Sequence, residues 1–288
     1  MIRPQPSRRR HDHGHQGHLH DSRRLRRAAA CARLAIDFAA RTGAHVTGIA
    51  LAMEPMAPAY LAVPIPADYL VGAVEEAERQ ARAAAEAFGK LATDAGVGHE
   101  ARTVTVLAGS TSPLVGQAHL SDLVIIGQED DDNPEPMRGA LIEAMLFDAG
   151  VPVMVVPRGW DEPLAVGRVL VAWDGGSTAA RAVHEAMPVL EHAGSVEIVI
   201  VPGGKGWNGE PGSDVATYLA RHGLDVSVTT VNRDADNIAD ALNGYARETG
   251  ADLLVMGGYG HSRLREFIIG GATSDMLARA EIPVIIAH

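Results

Sequence analysis

Short apolar runs alternate with longer alanine-rich stretches along most of the chain, and the alternation is clearest in the second half. Uninterrupted runs of Val, Ile and Leu predict strands buried on both faces, and the alanine-rich stretches predict helices that cover them. Strands that alternate with helices are typical of βαβ units and a parallel sheet. The second half is predicted to contain strands at residues 168–173, 195–201, 225–231, 252–257 and 283–287, and helices at residues 177–191, 213–221, 236–249 and 272–280.

The first half shows the same order of elements, but it has no predicted first strand. The second half begins with the apolar strand at residues 169–173, whereas the matching residues 8–24 are rich in Arg and His and have no strand character. A proline-rich loop is expected at residues 55–66. The first half is predicted to contain helices at residues 27–42, 68–94, 112–120 and 140–149, and strands at residues 45–52, 102–106, 123–127 and 152–156.

Two segments occur twice at nearly the same spacing, which indicates a repeated domain. Residues 121–127 resemble residues 251–257, 130 positions later, and residues 151–156 resemble residues 282–287, 131 positions later. We therefore predict an α/β fold with two doubly wound parallel five-stranded sheets of order 3-2-1-4-5, the first with an atypical or missing strand 1. The predicted divisions are an N-terminal segment at 1–26, a degenerate domain at 27–157, a linker at 158–167 and a second domain at 168–288.

The composition and net charge of the chain argue against several classes of function. Apolar residues make up 47% of the 288 residues, as in a globular core, and the net charge of −11 argues against nucleic acid, because phosphate binding needs clustered Lys and Arg. Cys31 is the only cysteine, so an internal disulfide is excluded and a reducing compartment fits. No apolar run approaches the roughly 18 residues of a membrane span, and the basic N-terminus lacks the apolar stretch of a signal peptide. We expect a cytoplasmic protein with no membrane or nucleic-acid partner.

A glycine-rich segment follows the strand predicted at residues 252–257. It reads Met256-Gly257-Gly258-Tyr259-Gly260 and, after nine further residues, Gly270-Gly271-Ala272-Thr273 at the start of a predicted helix. Glycine lets the main chain approach a ligand closely, and a helix N-terminus favours an anion, so the expected ligand group is a nucleotide phosphate. Backbone amides near Gly260 and Gly271, together with the Thr273 hydroxyl and the helix dipole, are expected to hold it. The competing interpretation is a purely structural turn between strand and helix.

Asp174 ends the first strand of the second half. In a sheet of order 3-2-1-4-5, strands 1 and 4 are neighbours where the winding reverses, and ligands bind outside their C-terminal ends. The Asp174 carboxylate is therefore expected beside Gly257, where it could accept a hydrogen bond from an adenine amino group or a ribose hydroxyl. A helix cap or a turn former is the alternative role for this residue.

These residues resemble the universal stress protein family in its tandem two-domain form. The ATP-binding motif of that family is Gly, two residues, Gly, nine residues, Gly, and then Ser or Thr. Gly257, Gly260 and Gly270 match this spacing, and Gly271 replaces the hydroxyl residue. The Asp-Gly-Gly-Ser sequence at residues 174–177 resembles the Asp-Gly-Ser turn that follows strand 1 in the family, with one extra glycine.

The resemblance covers roughly residues 27–288 and implies a nucleotide-binding second domain. It implies that Asp174 contacts the adenine or ribose and that Met256 lines the base pocket. The last strands of the two domains are expected to pair with each other, as such edges do in the family, and a homodimer is compatible with this. The implied ligand is ATP, ADP or AMP, with or without Mg. The expected binding residues are Asp174, Met256, Gly257, Gly260, Gly270, Gly271, Ala272 and Thr273.

The first half lacks the glycine motif. Its strand at residues 123–127 is followed by Gln128 and then by five carboxylates within residues 129–135, and this negative charge would repel phosphates. The segment is either a divalent-metal loop or a degenerate, solvated loop, and the second interpretation is favoured because the spacing matches no calcium loop.

Three other groups of residues have open interpretations. His261, Arg263 and Arg265 could reach phosphates or belong to a solvated surface, and Lys205 lies in a loop that lacks P-loop spacing. The N-terminal histidines could bind Zn or Ni, could belong to a disordered tail, or could reflect a wrong start site with the true strand lost. These histidines are at positions 11, 13, 15, 18 and 20.

The expected function is a stress-response or signalling switch that binds an adenine nucleotide and is recognised by an unknown protein partner. Two alternatives remain at this stage, namely a nucleotide-free interaction scaffold and an enzyme that acts on an adenylated substrate. The sequence offers no clear general base, so at most slow ATP hydrolysis is expected. The fold alone does not choose among these functions.

Overall fold

The computed structural model describes residues 14–53, 67–107, 109–129, 137–202, 210–231, 237–259 and 271–288, with side chains from residue 28 onwards except 67 and 69. The helices are α1 (Gly14–Thr42), α2 (Ala67–Asp94), α3 (Ser112–Ala118), α4 (Arg138–Ala144), α5 (Ser177–Leu190), α6 (Ser213–Arg221), α7 (Ile238–Thr249) and α8 (Ala272–Arg279), and a π-helical turn (Met145–Ala149) follows α4. The strands are β1 (Val46–Met53), β2 (His99–Val106), β3 (Val124–Gly127), β4 (Val153–Val156), β5 (Arg168–Ala172), β6 (Ser195–Ile200), β7 (Val226–Thr230), β8 (Leu253–Gly257) and β9 (Val284–Ala287).

The second half forms the predicted doubly wound sheet. Its parallel strands lie in the order β7-β6-β5-β8-β9, which is the expected order 3-2-1-4-5. Leu170 of β5 lies opposite Glu197 of β6 on one side and opposite Leu254 of β8 on the other. The central strands are almost wholly buried because helices cover both faces, as their uninterrupted apolar sequences predict.

Alternate residues of these strands face two separate apolar clusters. Leu170 and Leu254 contribute to the cluster that also contains α7 and α8, whereas Val171 and Val255 contribute to the cluster that contains α5 and α6. The helices that follow β5 and β8 therefore lie on opposite faces of the sheet. In doubly wound folds, ligands bind in a crevice outside the C-terminal ends of the two strands at such a point.

The last strands of the two halves pair antiparallel, and we call the β4–β9 pair the seam. Val153 lies opposite Ile286, and Val155 lies opposite Val284. All residues of both strands are at most 2% exposed, so each apolar edge covers the other. The seam joins β3 and β4 to the second-half sheet in one seven-stranded sheet of order β3-β4-β9-β8-β5-β6-β7. This pairing is the one that the family resemblance implies.

The first half does not form a five-stranded sheet of its own. Among the described residues, β1 and β2 form a separate two-stranded parallel sheet, and no strand lies between β1 and β3 where the second half has β5. The predicted absence of strand 1 is thus confirmed for the described part of the chain. The structure differs from two equal sheets because without that strand nothing joins β1 to β3.

Helix α1 is longer than the sequence predicts. It begins at Gly14 rather than at residue 27, so the backbone of the Arg- and His-rich segment is helical over residues 14–26. Leu34 of α1 packs in the cluster shared with the second half, and Ile36 and Ala39 pack against Val46 of β1 and the end of α2. This helix therefore spans both pieces of the divided first half.

The segment predicted as a linker, residues 158–167, contributes to the core. Leu164 is fully buried in the same cluster as Leu34, and its carbonyl accepts a hydrogen bond from the Arg41 guanidinium. The division of the chain at this segment stays a prediction. Within the described residues, no helix is long and apolar enough to cross a membrane.

Candidate functional site

The C-terminal ends of β5 and β8 lie side by side at the point where the winding of the sheet reverses. The β5 end continues through Asp174 into α5, and the β8 end continues through Gly258 and Tyr259. Helix α8 begins nearby, and Thr273 in its first turn accepts a hydrogen bond from the Tyr259 N–H. Six of the eight predicted binding residues are described, while Gly260 and Gly270 lie outside the described residues.

Gly257 allows the end of β8 to approach the first turn of α5 very closely. A Cβ atom at Gly257 would lie 2.6 Å from both the backbone N of Ala179 and the carbonyl C of Thr178. Real Cβ atoms do not come this close to backbone, so only glycine fits without a shift of the helix or the strand. The first glycine of the motif thus has a packing role that the sequence alone does not reveal.

A tight turn at Gly258 and Tyr259 follows β8. The Gly258 N–H donates to Ala287 O at 2.7 Å, and Tyr259 has a left-handed backbone with a φ of 51°. The Tyr259 N–H donates to the Thr273 hydroxyl at 3.0 Å. The Thr273 side chain is 7% exposed, and in this structure its hydroxyl stabilises the turn. A hydroxyl that accepts one hydrogen bond still has its own proton to donate, and the predicted phosphate contact depends on that proton.

Asp174 stabilises a turn at the start of α5. This is the role given above as the alternative to ligand binding. Its Oδ1 accepts a hydrogen bond from the Gly176 N–H at 2.8 Å, and Gly175 between them has a φ of 71°. A side chain that bonds to the backbone two residues later stabilises such a turn. The carboxylate is exposed at the start of α5, and its predicted contact with adenine or ribose stays a prediction.

Met256 is a core residue. It is 5% exposed and packs in the apolar cluster that contains Leu242 of α7 and Met276 of α8. Its position follows from the strand alternation, since Leu254 faces the same cluster. The predicted contact between Met256 and a base is not visible in this arrangement and stays a prediction.

Helix α8 begins without a side-chain cap. Gly271 occupies the capping position with an extended backbone, φ 171° and ψ 160°, and provides no side-chain oxygen. Within the described part of the chain, no side chain therefore caps the amides of the first turn, which starts at Ala272, and the positive end of the helix dipole lies at the same place. Such a helix start is suited to an anion.

Replacing Gly271 by serine should raise the thermal stability, and replacing it by alanine should lower it. A Cβ atom at Gly271 would meet nothing within 4 Å, and the extended backbone suits a serine cap. Serine is expected to stabilise by a few tenths of a kcal/mol and alanine to destabilise by about 0.5–1 kcal/mol. Thermal unfolding followed by circular dichroism would measure both changes. Equal melting temperatures for the two variants would contradict the capping role.

An aromatic group beside the crevice could not be foreseen from the glycine motif. The Phe147 ring lies 5.0 Å from the Tyr259 ring and 4.6 Å from the His288 ring, measured between centroids. His288 Nδ1 lies 3.1 Å from Gly258 O and donates to it when that nitrogen carries the proton. Burial raises the pKa of the Tyr259 hydroxyl, with a smaller contribution from the Glu143 carboxylate. Because Phe147 comes from the first half, only the predicted pairing of the last strands could have indicated this contact.

Several other sequence predictions fall outside the described residues. These include the roles of Lys205, His261, Arg263 and Arg265 and most of the acidic loop, residues 130–136. Among the residues that the structure does describe, no group of three or more His, Cys, Asp or Glu side chains could hold a metal ion.

Both the sequence and the fold are similar to those of known proteins. Residues 204–288, which include β8, α8 and the turn between them, match the model of the Universal stress protein family. The C-terminal part of the chain belongs to the universal stress protein family. Universal stress protein Slr1230 from Synechocystis sp. is 26% identical over 171 residues, which cover 57% of this chain and 57% of that protein. The matched segment thus spans little more than half the length of Slr1230.

A solved universal stress protein shares the fold over most of the chain. That protein, from Archaeoglobus fulgidus DSM 4304, is 17% identical, with a TM-score of 0.64, and covers 90% of this chain and 94% of that chain. The similarity therefore extends over both halves and shows the common α/β fold. A second solved structure is a universal stress protein in complex with cAMP, 22% identical over 42% of this chain and 97% of that chain, with a TM-score of 0.33.

Proposed function

We propose that the second half binds an adenine nucleotide, ATP, ADP or AMP, in the crevice between β5 and β8. The observation that carries the proposal is the turn at Gly258 and Tyr259, which Gly257 and Thr273 hold beside the uncapped start of α8. This turn lies at the reversal point of the sheet, where ligands of doubly wound folds bind. The family of residues 204–288 supports the proposal.

In this proposal the first-turn amides of α8 bind phosphate oxygens, and the helix dipole stabilises their charge. Gly260 and Gly270 belong to the site through the motif spacing in the sequence. Asp174 contacts the adenine or the ribose from the end of β5. A bound Mg ion would reduce the negative charge of the phosphates, and it would be held mainly by the nucleotide itself. Gly271 leaves the site with one hydroxyl fewer than the family motif.

The proposed activity is a switch. A nucleotide that binds one conformation of the segment between Gly257 and Gly271 more tightly shifts the population towards that conformation, and a protein partner recognises it. The first half is a degenerate domain of the same tandem protein and takes no nucleotide, because Gln128 and the acidic residues after it replace the glycine motif. The cytoplasm is the proposed location, since it supplies the nucleotide.

Calorimetry with ATP tests the phosphate site directly. Gly260→Val should weaken ATP binding about tenfold, because a branched side chain prevents the close approach of backbone amides, and about 1.4 kcal/mol of binding free energy corresponds to this factor. Gly116→Val is the matched control, because a Cβ at Gly116 of α3 meets nothing within 4 Å and the residue lies in the first half. Equal ATP affinity in wild type and Gly260→Val would refute the assignment.

Two further measurements separate the alternatives. An interaction scaffold, which the missing hydroxyl at Gly271 favours, would contain no nucleotide after native purification and would not bind ATP in the calorimeter. An enzyme would release product from ATP and Mg at a rate well above the uncatalysed reaction. The proposed switch is expected to retain nucleotide and to hydrolyse it slowly at most.

A further inference from the structure

The peptide bond between Gly258 and Tyr259 is held in one orientation by hydrogen bonds from two other parts of the chain. Its carbonyl oxygen, Gly258 O, lies 3.1 Å from His288 Nδ1, which follows β9. Its N–H, which belongs to Tyr259, donates to the Thr273 hydroxyl of α8 at 3.0 Å. A rotation of this peptide would break both hydrogen bonds, since each needs its present direction. The turn therefore has one preferred conformation that its surroundings select.

The turn needs this support because its backbone is strained. Tyr259 has a φ of 51°, in the left-handed region that side chains other than glycine rarely adopt. A residue persists in such a conformation only where the surrounding structure holds it there. Gly258 is also confined, because a Cβ atom there would lie 2.7 Å from Ile286 Cγ2 of β9. Each contact to the turn thus contributes to keeping it in this conformation.

One of these contacts comes from the first half of the chain. The Phe147 ring lies 5.0 Å from the Tyr259 ring, tilted by 52°, and 4.6 Å from the His288 ring at an angle of 70°. Tilted and edge-to-face aromatic pairs at these distances are favourable beyond the area that they bury. Phe147 is half-buried in the π-helical turn that follows α4, and such turns are frequent at functional sites. The ring therefore supports the side chains on both sides of the strained peptide.

A second residue of the first half acts on Tyr259. Burial raises the pKa of the Tyr259 hydroxyl, and the carboxylate of Glu143, four positions before Phe147, raises this pKa further. The hydroxyl is therefore neutral at physiological pH, and Tyr259 acts as an aromatic ring rather than as a charge. The first half thus influences Tyr259 through both α4 and the π-helical turn.

The internal repeat shows that this contact is not a general feature of the seam. Phe147 corresponds to Ala278, and Pro157 corresponds to His288, in each case 131 positions later. Alanine and proline have no aromatic ring, so the second half cannot form the matching contact with the first. The support runs in one direction, from the half that lacks the glycine motif to the half that contains it.

We propose that Phe147 is a positioning residue for the nucleotide site and couples this site to the first half. The inference rests on the proposed function of the crevice. The Phe147 ring stabilises the turn in the conformation that binds nucleotide, and bound nucleotide in return stabilises the turn against Phe147. The two effects are equal in free energy, because coupling between two sites is reciprocal. The first half thereby takes part in the switch although it binds no nucleotide.

Calorimetry with ATP on Phe147→Leu tests the positioning role. Leucine keeps an apolar side chain at this place but removes the ring, so ATP affinity should fall about fivefold. This factor corresponds to about 1 kcal/mol of binding free energy, the size of a typical aromatic pair. Phe147→Tyr, which keeps the ring, should restore most of the wild-type affinity. A purely structural loss of packing volume would not follow the ring in this way.

Phe88→Leu is the matched control for this substitution. It makes the same change in the first half, but the Phe88 ring packs against Gly48 of β1 and His99 of β2 in a separate apolar cluster. Phe88→Leu should therefore bind ATP like wild type even if it lowers the melting temperature. The comparison separates the coupling from a general destabilisation of the first half.

Hydrogen exchange measured by mass spectrometry tests the reciprocal effect. In wild type, saturating ATP should slow the exchange of amides in α4 and the π-helical turn by up to about fivefold. Amides of β1 and β2 should show no change, because no contact with Tyr259 is expected to reach them. In Phe147→Leu the slowing should disappear even when the protein is saturated with ATP.

Three results would overturn the coupling and leave the nucleotide site in place. These are equal ATP affinity in Phe147→Leu and wild type, an equal loss of affinity in Phe88→Leu, and a Phe147→Tyr protein that binds as weakly as Phe147→Leu. If Phe147→Leu does not fold, exchange in wild type decides, and an unchanged π-helical turn in saturating ATP overturns the coupling. A wild-type protein that binds no ATP would instead refute the proposed function, and the inference with it.

Discussion

Gly257→Ala is expected to lower the stability of the protein by about 2–3 kcal/mol and its melting temperature by roughly 4–12 °C. The added methyl group would lie 2.6 Å from backbone atoms of Thr178 and Ala179, and backbone cannot move aside as the end of a flexible side chain can. Either α5 or β8 must shift, and both belong to the buried centre of the sheet. Thermal and urea unfolding of the two proteins would measure the loss.

Gly244→Ala is the matched control for this substitution. A Cβ at Gly244 meets nothing within 4 Å, and the residue lies inside α7, where alanine is preferred to glycine by up to about 1 kcal/mol. The control should therefore be neutral or stabilising. A Gly257→Ala protein as stable as wild type would show that the close approach of α5 to β8 is not required, and the packing role of the motif would then be wrong.

Backbone amides of β1 and β2 are expected to exchange with solvent about 100-fold faster than those of β5 and β6. An isolated pair of strands is marginally stable, and among the described residues β1 pairs with β2 alone. The burial of the strands agrees with this difference. Only Ala52 of β1 is fully buried, whereas Val196 and all residues from Ile198 to Ile200 of its counterpart β6 are buried.

Hydrogen exchange measured by mass spectrometry compares the four strands in one molecule, so the solution conditions are identical for all of them. Rates are corrected for the intrinsic exchange of each sequence. Amides of β3 and β4 should behave like those of the second half, because the seam joins them to the larger sheet. Equal protection of β1 and β5 would show that the first half is stabilised without a central strand, contrary to the expectation.

The second half could be predicted closely from its sequence, and the reason is physical. Each of its strands is an uninterrupted apolar run, and each helix is bounded by turn residues, so burial and local preference agree. The predicted helix at residues 213–221 and the order 3-2-1-4-5 are both present in the structure. The described residues of the glycine motif lie at the C-terminal ends of β5 and β8, since the chain order determines which strand ends meet, and the role of the motif in binding stays a prediction.

The first half and the details of the site were less predictable, because they depend on contacts between distant segments. The burial of Leu164 and the ring of Phe147 beside Tyr259 arise from packing across the chain. The role of Gly257 against α5 is also a tertiary contact, and a motif alone cannot distinguish it from a ligand contact. Asp174 shows the same ambiguity, since one carboxylate can form a turn and also face a ligand.

The seam has a consequence for stoichiometry. Two identical chains joined through their last strands would present two equal crevices, whereas this polypeptide joins unequal halves through β4 and β9. Under the proposed function, each molecule then carries a single nucleotide and titrates with a simple hyperbolic isotherm. Its response to the nucleotide is graded with concentration, without the sharpening that cooperativity between equivalent subunits could supply.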